Sequence, residues 1–206
     1  MDGYKFQRTM IGVLGIALGF ICIFGGMIQS NILQSSISAY YHTNVRDIFV
    51  GVLMVSSLFL FAYKGYDSID FITSNIAGVT ALGISIFPCL PINYEIGGKV
   101  GFFQLGYLVS NALHLICAGI FFCSLIYIIL FLFTKSGIGK TINKVRRNLI
   151  YLVCGSGMIV GLILVIISNI IGIKMILIGE MIMLILYGIA WLVKGEVILR
   201  DEDTIS

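Results

Sequence analysis

Charge is what this chain has least of. Asp, Glu, Lys and Arg together make up 11% of its 206 residues, against about 25% in a soluble domain. Apolar residues make up 59%. That is more than a soluble fold of this length can hide, so the solvent for most of the surface is a bilayer. Proline is scarce as well: Pro88 and Pro91 are the only two, and long helices can run uninterrupted elsewhere. Histidine is limited to His42 and His114, which excludes a three-histidine metal centre. The five cysteines, Cys22, Cys89, Cys117, Cys123 and Cys154, are an odd number without paired metal-site spacing. They read as small apolar packing residues, not as a disulfide framework. The net charge of +3 offers no basis for nucleic-acid binding.

What is present is a series of six apolar runs, at residues 9–28, 48–63, 71–90, 105–133, 149–171 and 175–193. Backbone groups in lipid must be satisfied internally, and runs without period-two alternation mean helices, not a barrel. The sequence therefore predicts an all-α fold: one transmembrane domain, 1–206, built as a six-helix integral membrane bundle. The first run is longer than a secretory signal core and lacks a small-x-small cleavage site, so it reads as a retained helix. With the N-terminus inside, ten basic residues fall on inner segments and only Arg46, Lys99 and Lys174 on outer ones. That asymmetry predicts both termini on the cytoplasmic face of a cell membrane. The basic inner segment 134–148 is expected against anionic lipid heads. Gly15 with Gly19, and Gly157 with Gly161, have small-xxx-small spacing that permits close helix approach. Packing within the bundle is the expected use, and a homo-oligomer the alternative.

The segment Ser136-Gly137-Ile138-Gly139-Lys140-Thr141 ends like a phosphate-binding loop. That motif needs a glycine where Thr134 stands and a strand before it, and a membrane helix precedes it here.

The informative polar residues gather toward the outer side. Glu180 is the one Asp, Glu, Lys or Arg inside the six runs. A charge at that depth should face the bundle interior and have a partner, or be protonated. Its position is roughly 7–8 Å along the helix from the outer end, and that of His114 about 12–14 Å. Gln104, Tyr107, Asn111 and His114 have spacings that place them on one face of a helix. If 38–46 is helical, Ser38, His42 and Arg46 also align, with Asp47 adjacent. The sequence thus nominates a polar site of Ser38, His42, Arg46, Asp47, Asn111, His114 and Glu180. Three uses stay open: a polar cluster that fixes helix packing, a pocket for a lipid or small molecule, or a metal-assisted or acid/base hydrolase.

Two resemblances bear on this choice. The stretch Ser36-Ile37-Ser38-Ala39-Tyr40-Tyr41-His42 with Arg46-Asp47-Ile48-Phe49-Val50-Gly51 resembles an uncharacterised family of prokaryotic multi-spanning membrane proteins. Tyr63-Lys64-Gly65-Tyr66-Asp67, His114-Leu115, Gly179-Glu180 and 190–196 match it too, over nearly the whole chain. It implies a multi-pass protein of a bacterial-type plasma membrane and no particular activity. Ser38-xxx-His42 with Asp47 is also similar to an element of the CREST membrane hydrolases, which include alkaline ceramidases and progestin-and-adipoQ receptors. This chain departs from them in having six apolar runs instead of seven helices, and no His-xxx-His pair. What that resemblance implies here is a zinc site of mixed ligands, His42, His114 and Glu180 (or Asp47), with one position left for water.

Overall fold

The computed structural model describes residues 3–31, 33–135 and 142–199. Among these the chain forms six α-helices: α1 Gly3–Ser30, α2 Arg46–Ala62, α3 Ser68–Ile86, α4 Tyr107–Tyr127, α5 Ile142–Ile171 and α6 Ile176–Lys194. Five of them are long and apolar enough to cross a membrane, as suits a multi-pass membrane protein; α2, at 17 residues, is the short one. A short 3-10 helix, Ser38–His42, precedes α2, and a two-stranded hairpin, β1 Lys99–Val100 with β2 Leu105–Gly106, precedes α4.

The distribution of polarity is that of a chain solvated by lipid. Outward positions carry Phe24, Ile28, Leu58, Val79, Val160 and Ile170, each at least 59% exposed, while Ser57, Ser74, Thr80, Ser85 and Ser110 are buried. The buried hydroxyls bond across elements or back along their own helix: Ser57 to the Gly78 carbonyl at 2.7 Å, Ser74 to that of Tyr63 at 2.9 Å, and Thr80 to that of Ile76 at 2.8 Å. These bonds spare those serines and threonines the cost of an unpaired hydroxyl; the Tyr187 hydroxyl, by contrast, is buried without a partner.

The helices follow one another around an arc, α5–α6–α1–α2–α3–α4. Glycines set the closest crossings. A Cβ on Gly12 would lie 2.8 Å from the Gly188 carbonyl oxygen, and one on Gly161 3.0 Å from that of Gly179. Gly15, Gly19 and Gly157 likewise face Tyr187, Met181 and Leu186 of the same chain. The arc closes at one end only. A π-helical turn, Ile128–Leu132, extends α4 and puts Leu130 against Gly155 of α5. Toward the other end α4 and α5 part. The Lys5–Glu196 ion pair joins the two chain ends at the closed end.

Element boundaries differ from the apolar runs where local chemistry intervenes. The third run stops at Ile86, because Phe87 is extended (φ −102°, ψ 99°) ahead of Pro88. The fourth starts two residues late. Gln104 lies in the hairpin turn at φ 51°, its side-chain amide donating to the Gly101 carbonyl at 2.8 Å, so it is not part of the α4 stripe. The segment 134–148 is not all loop, since α5 begins at Ile142 and carries Lys144, Arg146 and Arg147 on its first turns. The phosphate-loop-like stretch 136–141 lies outside the described residues.

Candidate functional site: a polar-ended cleft between two helices

Pro88 creates the local problem that this site solves. Stopping α3 early leaves an irregular strand, 87–90, whose peptide groups lack helical partners. Four side chains supply them. Nδ1 of His114 donates to the Phe87 carbonyl at 2.8 Å, Ser110 to that of Pro88 at 2.8 Å, and Nε2 of His42 to that of Cys89 at 2.7 Å. The Asn111 side-chain oxygen accepts from the Leu90 amide at 2.9 Å. A carbonyl partner requires an N–H on the imidazole, so a proton sits on Nδ1 of His114 and on Nε2 of His42.

Glu180 does the same work on the other side. Its carboxylate accepts from the Ile37 amide and meets both the amide and the hydroxyl of Ser38. These are unsatisfied donors at the start of the 3-10 helix, and an anion suits them. In return the Ser35 carbonyl accepts from the Leu177 amide at 3.1 Å, in the first turn of α6. The segment 35–42 and the head of α6 thus cap each other.

Between these two sets lies a cleft of about 780 Å³, lined by α4, α5, α6 and the segments 34–42 and 89–92. Gln34, Ser38, His42, Asn111, His114, Asn169 and Glu180 make one end polar; Leu115, Ala118, Gly119, Phe122, Leu162, Val165, Ile166, Ile170 and Met183 make the rest apolar. Leu115, Ile166 and Ile170 are half exposed or more, so the cleft opens sideways through the gap between α4 and α5. Gly119 leaves room: a Cβ there would meet nothing within 4 Å.

The structure therefore brings together Ser38, His42, Asn111, His114 and Glu180 and separates Arg46 and Asp47 from them. Arg46 pairs with Asp47 at 3.3 Å, with side chains 56% and 90% exposed, and packs over the Tyr41 ring. Both face a shallow surface depression shared with Lys99 and Gln104; only His42 borders it and the cleft. The four-residue alignment fails because the 3-10 helix ends at His42 and Arg46 opens a new helix. Ser110, not foreseen, belongs to the site; it lies beside Asn111, one residue off the stripe.

The mixed zinc site does not fit. Among the described residues no three His, Cys, Asp or Glu side chains converge as metal ligands. Nor do Ser38 and His42 form a nucleophile–base pair. The Ser38 hydroxyl turns to Glu180 instead of His42. Burial, with the Glu180 charge adding to it, pushes the Cys89 thiol up to about 12, far from the thiolate a nucleophile needs.

A second polar cluster, at the closed end of the bundle, escaped the sequence reading. Asp70 and Lys194 are 1% and 7% exposed. Each lies one residue beyond an apolar run, where a charge is ordinarily taken to reach water. A lysine three residues after the single Trp191 was the available signal.

Comparison with protein-family models, with curated proteins and with solved structures finds no match to this chain.

Proposed function

We propose that this protein is a six-span membrane protein that binds an amphipathic, lipid-like molecule in the cleft between α4 and α5. The carrying observation is the cleft itself: one continuous space with a hydrogen-bonding end and an apolar flank open to the lipid-facing side. A diacyl or single-chain lipid could enter laterally, place its chain along Leu115, Gly119 and Ile166, and present its head to Asn111, His114 and Asn169. The histidines and Glu180 act in this reading as hydrogen-bonding anchors of backbone, and they shape the polar end without performing chemistry. Away from its polar end the cleft is lined by Ala118, Phe122, Leu162, Val165 and Met183, and that apolar lining favours binding over transport.

Gly119→Trp tests the reading. The indole would fill the apolar flank without displacing backbone, since the position is open. Crosslinking of a photoactivatable diacyl lipid should fall about tenfold, the equivalent of roughly 1.4 kcal/mol of affinity, while the melting temperature stays near that of wild type. Undiminished crosslinking would refute the cleft as the binding site.

We further propose that α2 completes the sixth span and that both termini are cytoplasmic. At 1.5 Å per residue its 17 residues reach about 25 Å, and the adjoining 3-10 helix occupies the interface. The distribution of Lys and Arg favours this orientation. In intact cells a membrane-impermeant maleimide should label Lys99→Cys above the background of the native cysteines, and label Lys64→Cys only after permeabilisation. The reverse pattern would invert the topology.

A further inference from the structure

We propose that the closed end of the bundle holds a separate anion site, in which Lys194 and Arg8 receive a phosphate-type oxyanion. The Lys194 ammonium, on the last residue of α6, lies 4.7 Å from the Tyr66 ring centre and 4.9 Å from that of Phe133. It is buried, and among the described residues no carboxylate stands within ion-pair distance of it. Arg8, on α1, places its guanidinium 5.8 Å from the Tyr63 ring centre, with its Nε buried and without a hydrogen-bond partner. Trp191 packs against both of those rings: its ring centre is 5.0 Å from that of Tyr63 and 4.9 Å from that of Phe133. Its indole N–H is buried and lacks an acceptor too. The Arg8 guanidinium also bonds the Tyr63 hydroxyl, but among the described residues its Nε and the indole N–H have no acceptor and the Lys194 ammonium has no counterion.

The surrounding charge deepens the deficit. Among the described residues, Arg8, Lys144 and Arg147 act on Lys194 as like charges and Asp70 as an opposite one. Asp70 is already committed, accepting from the Tyr66 amide at 2.6 Å and from Lys135 at 3.2 Å. Glu196 is shared by Lys5 and Arg147. Ring faces return part of the hydration that a buried cation loses, but not all of it. A multi-oxygen anion can bridge a guanidinium, an ammonium and an indole N–H at once, which a chloride cannot. Basic pockets between helices at a membrane face take lipid phosphates in this way. Free inorganic phosphate offers the same chemistry.

The test uses the purified full-length protein, delipidated in neutral detergent, followed by thermal unfolding. Two probes are added separately: potassium phosphate against potassium chloride of equal ionic strength, and phosphatidylglycerol against phosphatidylcholine in mixed micelles. The expected result is a rise of about 3–5 °C with at least one phosphate probe over its control. Phosphatidylglycerol alone would identify a lipid headgroup, and a rise with both probes a free oxyanion. Lys194→Met should lose that increment while matching or exceeding the wild-type melting temperature in chloride, because it removes a buried charge without a counterion. Arg8→Gln serves as the second variant should Lys194→Met not fold, and should lose the increment likewise. No rise with either probe, or a rise that survives in the variants, overturns the proposal.

Discussion

Glu180→Leu should lower the melting temperature of the purified protein by roughly 6–12 °C, and Glu180→Gln by less than half as much. Leucine fills a similar volume but accepts nothing, so the Ile37 amide and the Ser38 donors lose their partner. Charge-assisted bonds of this kind contribute about 1.5–3 kcal/mol each, and stranding buried donors costs on the order of 3 kcal/mol. For a chain of about 200 residues each kcal/mol moves the midpoint by roughly 2–4 °C. Glutamine keeps one oxygen and so keeps part of the cap. The ordering Leu below Gln below wild type separates this role from the acid/base one, in which Gln would leave stability intact and remove only turnover. Two variants melting within about 1 °C of wild type would show that the cap does not hold segment 35–42 in place.

The same residue shows how far sequence reasoning reached. Its burial in the bundle and its need for a partner followed from one charge in an apolar run. The partner did not follow, because depth along a helix is readable from spacing whereas rotation about the axis and the neighbour opposite are not. A charged or imidazole partner was the natural expectation; the partners are the amides of Ile37 and Ser38 and the Ser38 hydroxyl, at the start of a short 3-10 helix packed on α6. His114 and Asn111 tell the same story. Their shared face was legible, but their targets are the peptide groups that Pro88 frees, so the polar stripe and the proline are two halves of one feature. Arg46 and Asp47 were grouped with the site on an α-helical repeat that a 3-10 turn breaks. Lys194 was missed because a basic residue at a helix end ordinarily extends to the interface, and here Tyr66 and Phe133 hold it inside.

The arc of helices is least visible in the sequence. Apolar runs give a count of spans, but in lipid every helix is apolar around most of its surface, so the moment does not say which face meets which neighbour. Small residues carry that information instead. Gly161 and Gly179 draw α5 to α6, and among the described residues nothing comparable joins α4 to α5 beyond Gly155 at Leu130. The cleft is the consequence: it opens where the glycine contacts stop.

The α1–α6 crossing should be the position least tolerant of one added methyl group. Gly188→Ala is expected to lower the melting temperature by roughly 5–10 °C, from overpacking of about 2–3 kcal/mol. Its Cβ would lie 2.7 Å from the Gly12 carbonyl oxygen, a backbone atom that cannot rotate away. Gly12→Ala meets the Gly188 carbonyl oxygen at 2.8 Å from the other side and should cost a similar amount. Both are relieved by the same outward shift of α1, so the double variant should lose clearly less than the sum of the two. Gly51→Ala is the control. Nothing lies within 4 Å of a Cβ there, and in mid-helix alanine is favoured by about 0.5–1 kcal/mol; its melting temperature should equal or exceed that of wild type. If Gly188→Ala behaves like Gly51→Ala, α1 and α6 do not cross at these glycines. If the double variant is fully additive, the two clashes are independent and the shared crossing is wrong. The expected subadditivity is the signature of two helices held at backbone distance by one paired contact.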